Sequence, residues 1–324
     1  MKSLLILKRL QVQNTNAIAG LTWGFPGISN FLGFTHALSR FMLQKHGVSL
    51  GGCAVVCHHH QVQAYQPSGF GEYLFGLTRN PLTKEGSTAP FNEEGRMHME
   101  VSLIIECDFA LSSIDLETDS EEEDRGLLEQ QLNEKVLTQR LAGGSIQHVE
   151  KVQFFPLPEI TEERDRAFRK IMLGLLPGFM LVDRSELLAE HHAALKKVNP
   201  GAELMDAWLD FAALKLRAHA RVEEDETPDE NSPADWLYVD KPAGGWLVPI
   251  TTGFKAISPL YEPGEVANTR DPSVPFRFVE SVYSIGQWLS PHRIRDIDSI
   301  FWRYHQQDDW YLCKNNYQPE TEAL

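Results

Sequence analysis

The chain has 324 residues, 42% of them hydrophobic and 23% charged, with 30 basic against 45 acidic side chains for a net charge of −15. That is the balance of a globular protein of one to three domains, and it argues at first against a nucleic-acid partner. No apolar run approaches the ~20 residues of a membrane-spanning helix, so a membrane partner is not expected.

Leu4, Ile6, Leu10 and Val12 alternate with Leu5, Leu7, Arg9 and Gln11, which predicts a first strand. Lys2, Lys8 and Arg9 surround the short apolar start, but no small-residue cleavage site follows, so a strand is expected here and not a signal peptide. A polar run, Gln11-Val12-Gln13-Asn14-Thr15-Asn16, comes next, and then Thr22-Trp23-Gly24-Phe25-Pro26. Uncharged donors beside aromatics suit single-stranded RNA, whose bases are gripped by stacking and edge hydrogen bonds. They equally suit a strand terminus whose Trp23 and Phe25 enter the core.

Phe31, Phe34, Leu38, Phe41 and Met42 share one face of a helix over 29–46, with Ser29 as N-cap and Gly47 as stop. A second strand over 53–65 carries His58-His59-His60. His58 and His60 point to one side, but two ligands fall short of the three or four a zinc site needs, so no metal is expected. Residues 66–95, rich in Pro, Gly, Thr and Asn, are too long for a hairpin turn and read as an inserted hairpin or arm. Within them Arg79-Asn80 pairs a phosphate-binding guanidinium with an amide able to read a base edge; a turn held by Asn before Pro81 is the plainer reading.

Met97, Met99, Val101, Leu103 and Ile105 alternate with His98, Glu100 and Ser102, a third strand with one wet face, opened by Arg96. Leu128, Leu132, Val136 and Leu137 stripe a second helix that runs into Gly143-Gly144-Ser145. Two glycines at a helix exit end it through positive φ and can bare amide N–H groups to a phosphate; a plain glycine stop is the alternative. A fourth strand spans 145–155. The order strand–helix–strand–strand–helix–strand is that of a ferredoxin-like domain. The aromatic signature of an RNA-recognition (RRM) sheet is missing, so RNA would be held by loops, the insertion and the glycine turn.

The fold class expected is therefore α+β: a ferredoxin-like (RRM-like) domain over 1–160 with its insertion at 66–95, then a mixed α+β part over 161–324. In the latter, helices are predicted over 163–176, 185–198 and 203–219. Strand patches follow at 246–252 and 277–288, and a C-terminal helix over 291–305 carries Ile294, Ile297, Ile300 and Phe301. Residues 222–235 read as an acidic linker. Thirteen of the acids lie in 115–124 and 223–230, and the remaining 32 nearly balance the 30 bases. Such tracts are usually solvated loops. Cys53, Cys57, Cys107 and Cys313 form no C-x-x-C, which fits a reducing cytoplasm. No cofactor is expected. For an RNA endonuclease, His36, His58, His98 and His148 are candidates by position only, since no spacing selects an acid–base pair.

A series of blocks in one order carries a resemblance. It runs Asn14-Thr15-Asn16-Ala17-Ile18, Leu21-Thr22-Trp23-Gly24-Phe25-Pro26, Leu77-Thr78-Arg79-Asn80-Pro81-Leu82, Glu94-Gly95-Arg96 and Arg140-Leu141-Ala142-Gly143-Gly144-Ser145-Ile146. Leu176-Pro177-Gly178-Phe179, Gly245-Trp246-Leu247-Val248-Pro249-Ile250, Pro263-Gly264-Glu265-Val266, Leu289-Ser290-Pro291-His292-Arg293 and Trp302-Arg303-Tyr304-His305 continue it. The series resembles the second Csy subunit of type I-F CRISPR surveillance (Csy) complexes, of the RAMP superfamily, over nearly the whole chain outside the two acidic tracts.

The resemblance implies a non-enzymatic, cytoplasmic subunit that grips the 5′ handle of the crRNA. It implies pairing with the large Csy subunit, capping of the backbone Csy subunits, and contact with target DNA through the assembled complex. On that reading Gly143, Gly144 and Ser145 meet handle phosphates, and Asn14, Asn16 and Trp23 meet handle bases. Arg79, Asn80 and Arg96 hold the guide near the handle–spacer junction, and the insertion is a thumb-like arm. Asn268, Arg270, His292 and Arg293 are further RNA or partner contacts. A guide-processing endoribonuclease of the same superfamily and a protein-interaction module without RNA contact are the alternatives.

Overall fold

The computed structural model describes the chain apart from residues 1, 70, 79, 115–119, 222–226, 228, 231 and 320–324. Its main body is one antiparallel sheet of ten strands: β1 (Ser3–Asn16), β2 (Leu50–Val62), β3 (Arg96–Cys107), β4 (Arg140–Leu141), β5 (Gly144–Pro156), β6 (Phe179–Asp183), β7 (Leu247–Ala256), β8 (Val279–Leu289), β9 (Arg303–Gln307) and β10 (Trp310–Lys314). The strands lie in the order β4-β5-β1-β3-β2-β6-β8-β7-β10-β9. Five helices accompany them: α1 (Ile28–His46), α2 (Glu121–Leu137), α3 (Thr161–Gly174), α4 (Ser185–Val198) and α5 (Leu204–Ala212).

Alternation along β1 divides the core. Leu5, Leu7 and Leu10 face α1 and α2, where they pack with Phe31, Leu38, Leu128 and Leu132. Leu4 and Ile6 face the other way, onto Phe168, Ile171 and Met172 of α3 and onto Ile294, Ile297, Ile300 and Phe301. A third cluster seats Leu188, Trp208 and Phe211 of α4 and α5 on Ile285 of β8. The face toward α1 and α2 is thus covered, while the other face is covered around Leu4 and Ile6 but leaves Gln147, His148, Glu150 and Lys151 of β5 exposed; the wet face read for β3 is half-buried at His98 and Glu100 and closed at Ser102, which is fully buried.

Strands from both halves of the chain share this sheet. The outer edge of β2 is closed at Cys53 by Trp302, through Cys53 N–H to Trp302 O at 3.0 Å and Trp302 N–H to Cys53 O at 2.9 Å. Further along, β6 takes over at Val56 and Cys57 and pairs on its other side with β8. The Trp302 indole N–H donates to Leu181 O at 2.9 Å and its ring is fully buried. Arg303 donates twice to Glu106, at 2.8 and 2.6 Å, and the same carboxylate accepts from Gly52 N–H at 2.8 Å.

Several local readings change. The helix expected over 291–305 is a single 3₁₀ turn, Pro291–Arg293, followed by irregular backbone and then β9. Asp296 explains part of this: its carboxylate accepts from Asp298 N–H and its carbonyl from the Ser299 hydroxyl, local bonds that compete with a helix. The helix expected over 203–219 ends at Ala212 and gives way to a strand, Leu216–Ala220, paired with Ala234–Tyr238. These two strands flank the acidic stretch read as a linker over 222–235, of which residues 222–226, 228 and 231 lie outside the described residues. In the other acidic tract, Glu121, Glu122, Glu123 and Asp124 form the first turn of α2, where the helix dipole favours them. The α1 N-cap is Gly27, one residue before the helix, so Ser29 lies inside it; the Gly47 stop is left-handed, at φ 69°.

Trp302→Ala is expected to cost about 3–5 kcal/mol through the cavity and the unpaired Leu181 carbonyl. Urea unfolding should remain one transition, moved to lower denaturant. Two separable transitions, only one of them shifted, would contradict a sheet shared by both halves.

Candidate nucleic-acid interface

The antiparallel arrangement brings the end of β1 and the starts of β3 and β5 to the same end of the sheet, where the polar residues of the sequence reading meet. β1 is irregular there: its register shifts between Gln11 and Val12 against β5 and between Val12 and Thr15 against β3. Asn14 lies at φ 55°, in the left-handed region that asparagine tolerates. Its side-chain oxygen accepts from Gln63 Nε2 at 3.0 Å. The His98 ring is 3.3 Å from Asn14 N and 3.1 Å from Gln63 Nε2. Asn16 closes its own turn, donating to Ile18 O at 2.7 Å and accepting from Ile18 N–H at 3.1 Å.

The glycine turn is placed differently from the sequence expectation. α2 ends at Leu137, and the glycines instead form the tip between β4 and β5. Ala142 and Gly143 are the two turn residues, at φ 50° and 76°, a pairing that matches the twist of a two-residue hairpin. Asn16 N–H donates to Ala142 O at 2.9 Å, which joins the turn to the end of β1. Gly144 has no room for a side chain: a Cβ would lie 2.6 Å from Gln13 O and 2.9 Å from Thr15 N. Gly143 and the Ser145 side chain are exposed. Arg96 stands opposite Asn16 in the sheet, and its Nη1 is 4.0 Å from where a Gly143 Cβ would be. Glu94 accepts from Arg96 Nε and Nη2 at 2.8 and 2.6 Å, which aims the guanidinium. Asn14, Asn16, Arg96, Gly143, Gly144 and Ser145 thus form one cluster.

Trp23 joins it through the loop after β1. Ala17 N–H donates to Gly95 O and Gly24 N–H to Ala17 O, both at 2.8 Å. Trp23 is 54% exposed and meets Phe75 edge to face at 5.8 Å. Phe75 belongs to the insertion, which is built from two short ladders, Ala64–Tyr65 with Leu74–Phe75 and Leu77–Thr78 with Asn92–Glu93. Tyr65, Tyr73, Leu77, Leu82 and Phe91 are exposed along it. Asn80 is half-buried there, and Arg79 lies outside the described residues. Phe25 turns inward onto Phe31 and Trp288, as the core reading of the sequence allowed.

The remaining candidates lie on other elements. Asn268, at φ 59°, and Arg270 are exposed in the loop closed by the Tyr261–Phe276 bridge. His292 and Arg293 occupy the 3₁₀ turn after β8, where His292 Nδ1 is 2.8 Å from Ser290 Oγ. Sequence reasoning passed over Gln63 and Tyr283. Tyr283, from β8, accepts from Leu21 N–H at 3.1 Å and anchors the Trp23 loop to the second half of the chain. Only the tertiary fold could reveal that contact.

The family described as CRISPR-associated protein (Cas_Csy2) matches residues 5–313. A curated relative, CRISPR-associated protein Csy2 of Pseudomonas aeruginosa (strain UCBPP-PA14), is 41% identical over 319 residues, covering 95% of this chain and 93% of the relative. The chain belongs to the Csy2 family. This is the second Csy subunit of type I-F systems, the group that the ordered sequence blocks resemble.

Among the histidine candidates of this Csy2-family chain, His58 has structural surroundings. Ser102 Oγ accepts Arg9 N–H at 2.9 Å and lies 2.6 Å from His58 Nε2, while His58 Nδ1 lies 2.7 Å from Pro177 O. This fits a neutral ring that donates from Nδ1 and accepts at Nε2. Burial holds its pKa below the ordinary histidine value, with Arg9 adding to the effect. Burial pushes the thiols of Cys53, Cys57 and Cys313 up to about 12. Among the described residues no three His, Cys, Asp or Glu side chains converge as a metal site, and no helix is long and apolar enough to cross a membrane.

Gly144→Ala is expected to destabilise by about 1–3 kcal/mol, because the new methyl meets backbone that cannot rotate away. Gly126→Ala, in α2 with nothing within 4 Å, should instead stabilise by about 0.5–1 kcal/mol; paired urea titrations check both. For His58 the unfolded state gains its proton first as pH falls through the ordinary histidine range, so stability drops below about pH 6.5. His58→Gln should flatten that fall in melting temperature between pH 7.5 and 5.5, and an unchanged slope would refute it.

Proposed function

We propose that this Csy2-family chain is a non-catalytic subunit of a type I-F, crRNA-guided DNA surveillance complex. In this reading it binds the 5′ handle of the crRNA together with the large Csy subunit and caps the row of backbone subunits. The first half is a ferredoxin-like domain of the RAMP kind. The order β5-β1-β3-β2, with α1 and α2 packed on one face, supports this.

One observation carries the functional reading: the glycine hairpin, Asn14, Asn16 and Arg96 stand at one end of the sheet beside an arm with exposed aromatics. Amides at a left-handed turn and a guanidinium suit phosphates, and exposed rings suit unstacked bases. With α1 and α2 packed on one face and no RRM aromatic signature in the strands, a strand of RNA in this reading is held at loops and tips. Asn80 on the arm faces the guide near the handle–spacer junction together with Arg79. Asn268, Arg270, His292 and Arg293 serve as outlying RNA or partner contacts, and target DNA is met through the assembled complex. The exposed Tyr65, Tyr73, Leu77, Leu82 and Phe91 give the arm a surface for a neighbouring subunit. A nearly neutral chain outside two acidic tracts releases few counterions, so partner subunits supply much of the affinity.

The purified chain and its large partner should bind handle RNA more tightly than scrambled RNA of the same length, and Arg96→Ala should weaken handle binding. Equal binding of the two RNAs would overturn the reading. A repeat-containing precursor incubated with the chain without metal should stay intact, whereas single-site cleavage would favour an endoribonuclease.

A further inference from the structure

Behind Trp23 lies a pocket of about 370 Å³, enclosed by residues 22–26, the 57–60 end of β2, Phe179 of β6, Trp246, and Trp288 of β8. Its rings meet at angles: Phe179 and Trp246 at 4.7 Å edge to face, Trp246 and Trp288 at 6.4 Å tilted, Phe25 and Trp288 at 5.0 Å edge to face. Trp23 is 54%, Trp246 50% and Phe179 40% exposed. Three large rings half open to solvent in one concavity leave apolar area unburied, which marks a place for a ligand.

Three features select the ligand. The volume falls within the roughly 300–1,000 Å³ of small-molecule sites and exceeds the need of a single aliphatic side chain. None of the lining residues carries a carboxylate, although the chain holds 45 acids, and the exposed rim residues His59 and His60 offer ring nitrogens able to donate or accept. Finally, Trp23 belongs both to the pocket wall and to the loop hydrogen-bonded to the Asn16–Gly95 junction, so the pocket adjoins the cluster of the glycine hairpin. An acid-free aromatic socket with a polar rim suits a base on a polyanionic strand.

We propose that this pocket receives one unstacked base of the RNA handle, stacked against Trp246 and Trp23 and met at its edge by His60. The proposal rests on the handle-binding reading and adds to it a site that neither the glycine hairpin nor the arm supplies. The Trp246 position is suited to a test, since its ring is half exposed and its truncation opens no sealed cavity.

The test uses the chain with its large partner subunit and a set of handle RNAs, each with one nucleotide made abasic. In the wild-type complex one abasic position should cost on the order of tenfold in affinity. Trp246→Ala should weaken intact handle RNA to a similar degree and become indifferent to that abasic site, the non-additive result of a direct contact. Trp246→Phe should restore most of the loss, and His60→Ala should change base preference at that position alone. If handle RNA is bound selectively but every abasic loss adds to that of Trp246→Ala, the pocket proposal falls while handle binding stands. If wild-type complex binds handle and scrambled RNA alike, the handle reading falls and takes the pocket with it. Release of the large subunit by Trp246→Ala, with RNA coupling unchanged, would make the occupant a protein side chain and overturn the proposal.

Discussion

A five-residue strand, Phe179–Asp183, takes hydrogen bonds on both sides, from β2 toward the first half of the chain and from β8 toward the second. Met180, Leu181 and Val182 are almost wholly buried, and Leu181 O accepts the indole of Trp302. Without this strand β2 and β8 would each present an open edge, and unpaired strand edges are prone to aggregate. The rest of the arrangement depends on this closure. The Trp23 loop is positioned by Tyr283 and Thr251, which stand on β8 and β7, strands joined to β2 in the sheet order through β6.

The covering of the sheet bears on binding. α1 and α2 fill one side, and α3 with residues 294–301 fills the part of the other around Leu4 and Ile6. Polar side chains are left on the outer face of β5, at the strand ends and in the arm. There the glycines serve geometry first. Gly144 lets β5 pass within contact of Gln13 and Thr15, and Gly143 completes a left-handed turn that Asn16 ties down. A hairpin tip fixed in this way presents amides with little entropy left to lose on binding.

The charge of −15 also resolves locally. Part of one acidic tract stabilises the start of α2, and the other falls in sequence between the paired strands Leu216–Ala220 and Ala234–Tyr238. The junction of Asn14, Asn16 and Arg96 has one carboxylate in its described hydrogen bonds, Glu94, and that one orients the arginine. Net charge was therefore a poor guide to this end of the molecule, because Coulombic effects in water fade within about 10 Å.

Local periodicity in the sequence determined the long elements. The alternation of Met97 to Ile105 and the stripe from Phe31 to Met42 each state one buried face, the apolar start of Leu4 to Val12 states a strand, and each became a strand or helix within a few residues of its expected bounds. The ordered blocks were enough to point to the Csy2 family, and the composition of the 66–95 segment set it apart from a plain hairpin turn, consistent with the two short ladders found there. What lay beyond local pattern was decided by tertiary structure. Ile294, Ile297 and Ile300 recur at helical spacing, yet they cap a sheet face as irregular chain, because local Asp296 bonds and distant packing outweigh a weak propensity. The glycine turn moved from a helix exit to a hairpin tip because its close neighbours are Gln13 and Thr15, far away in sequence. The ring-lined pocket draws on residues from 22 to 288. No short window of sequence holds such a site, since its walls become neighbours only when strands from both halves join one sheet.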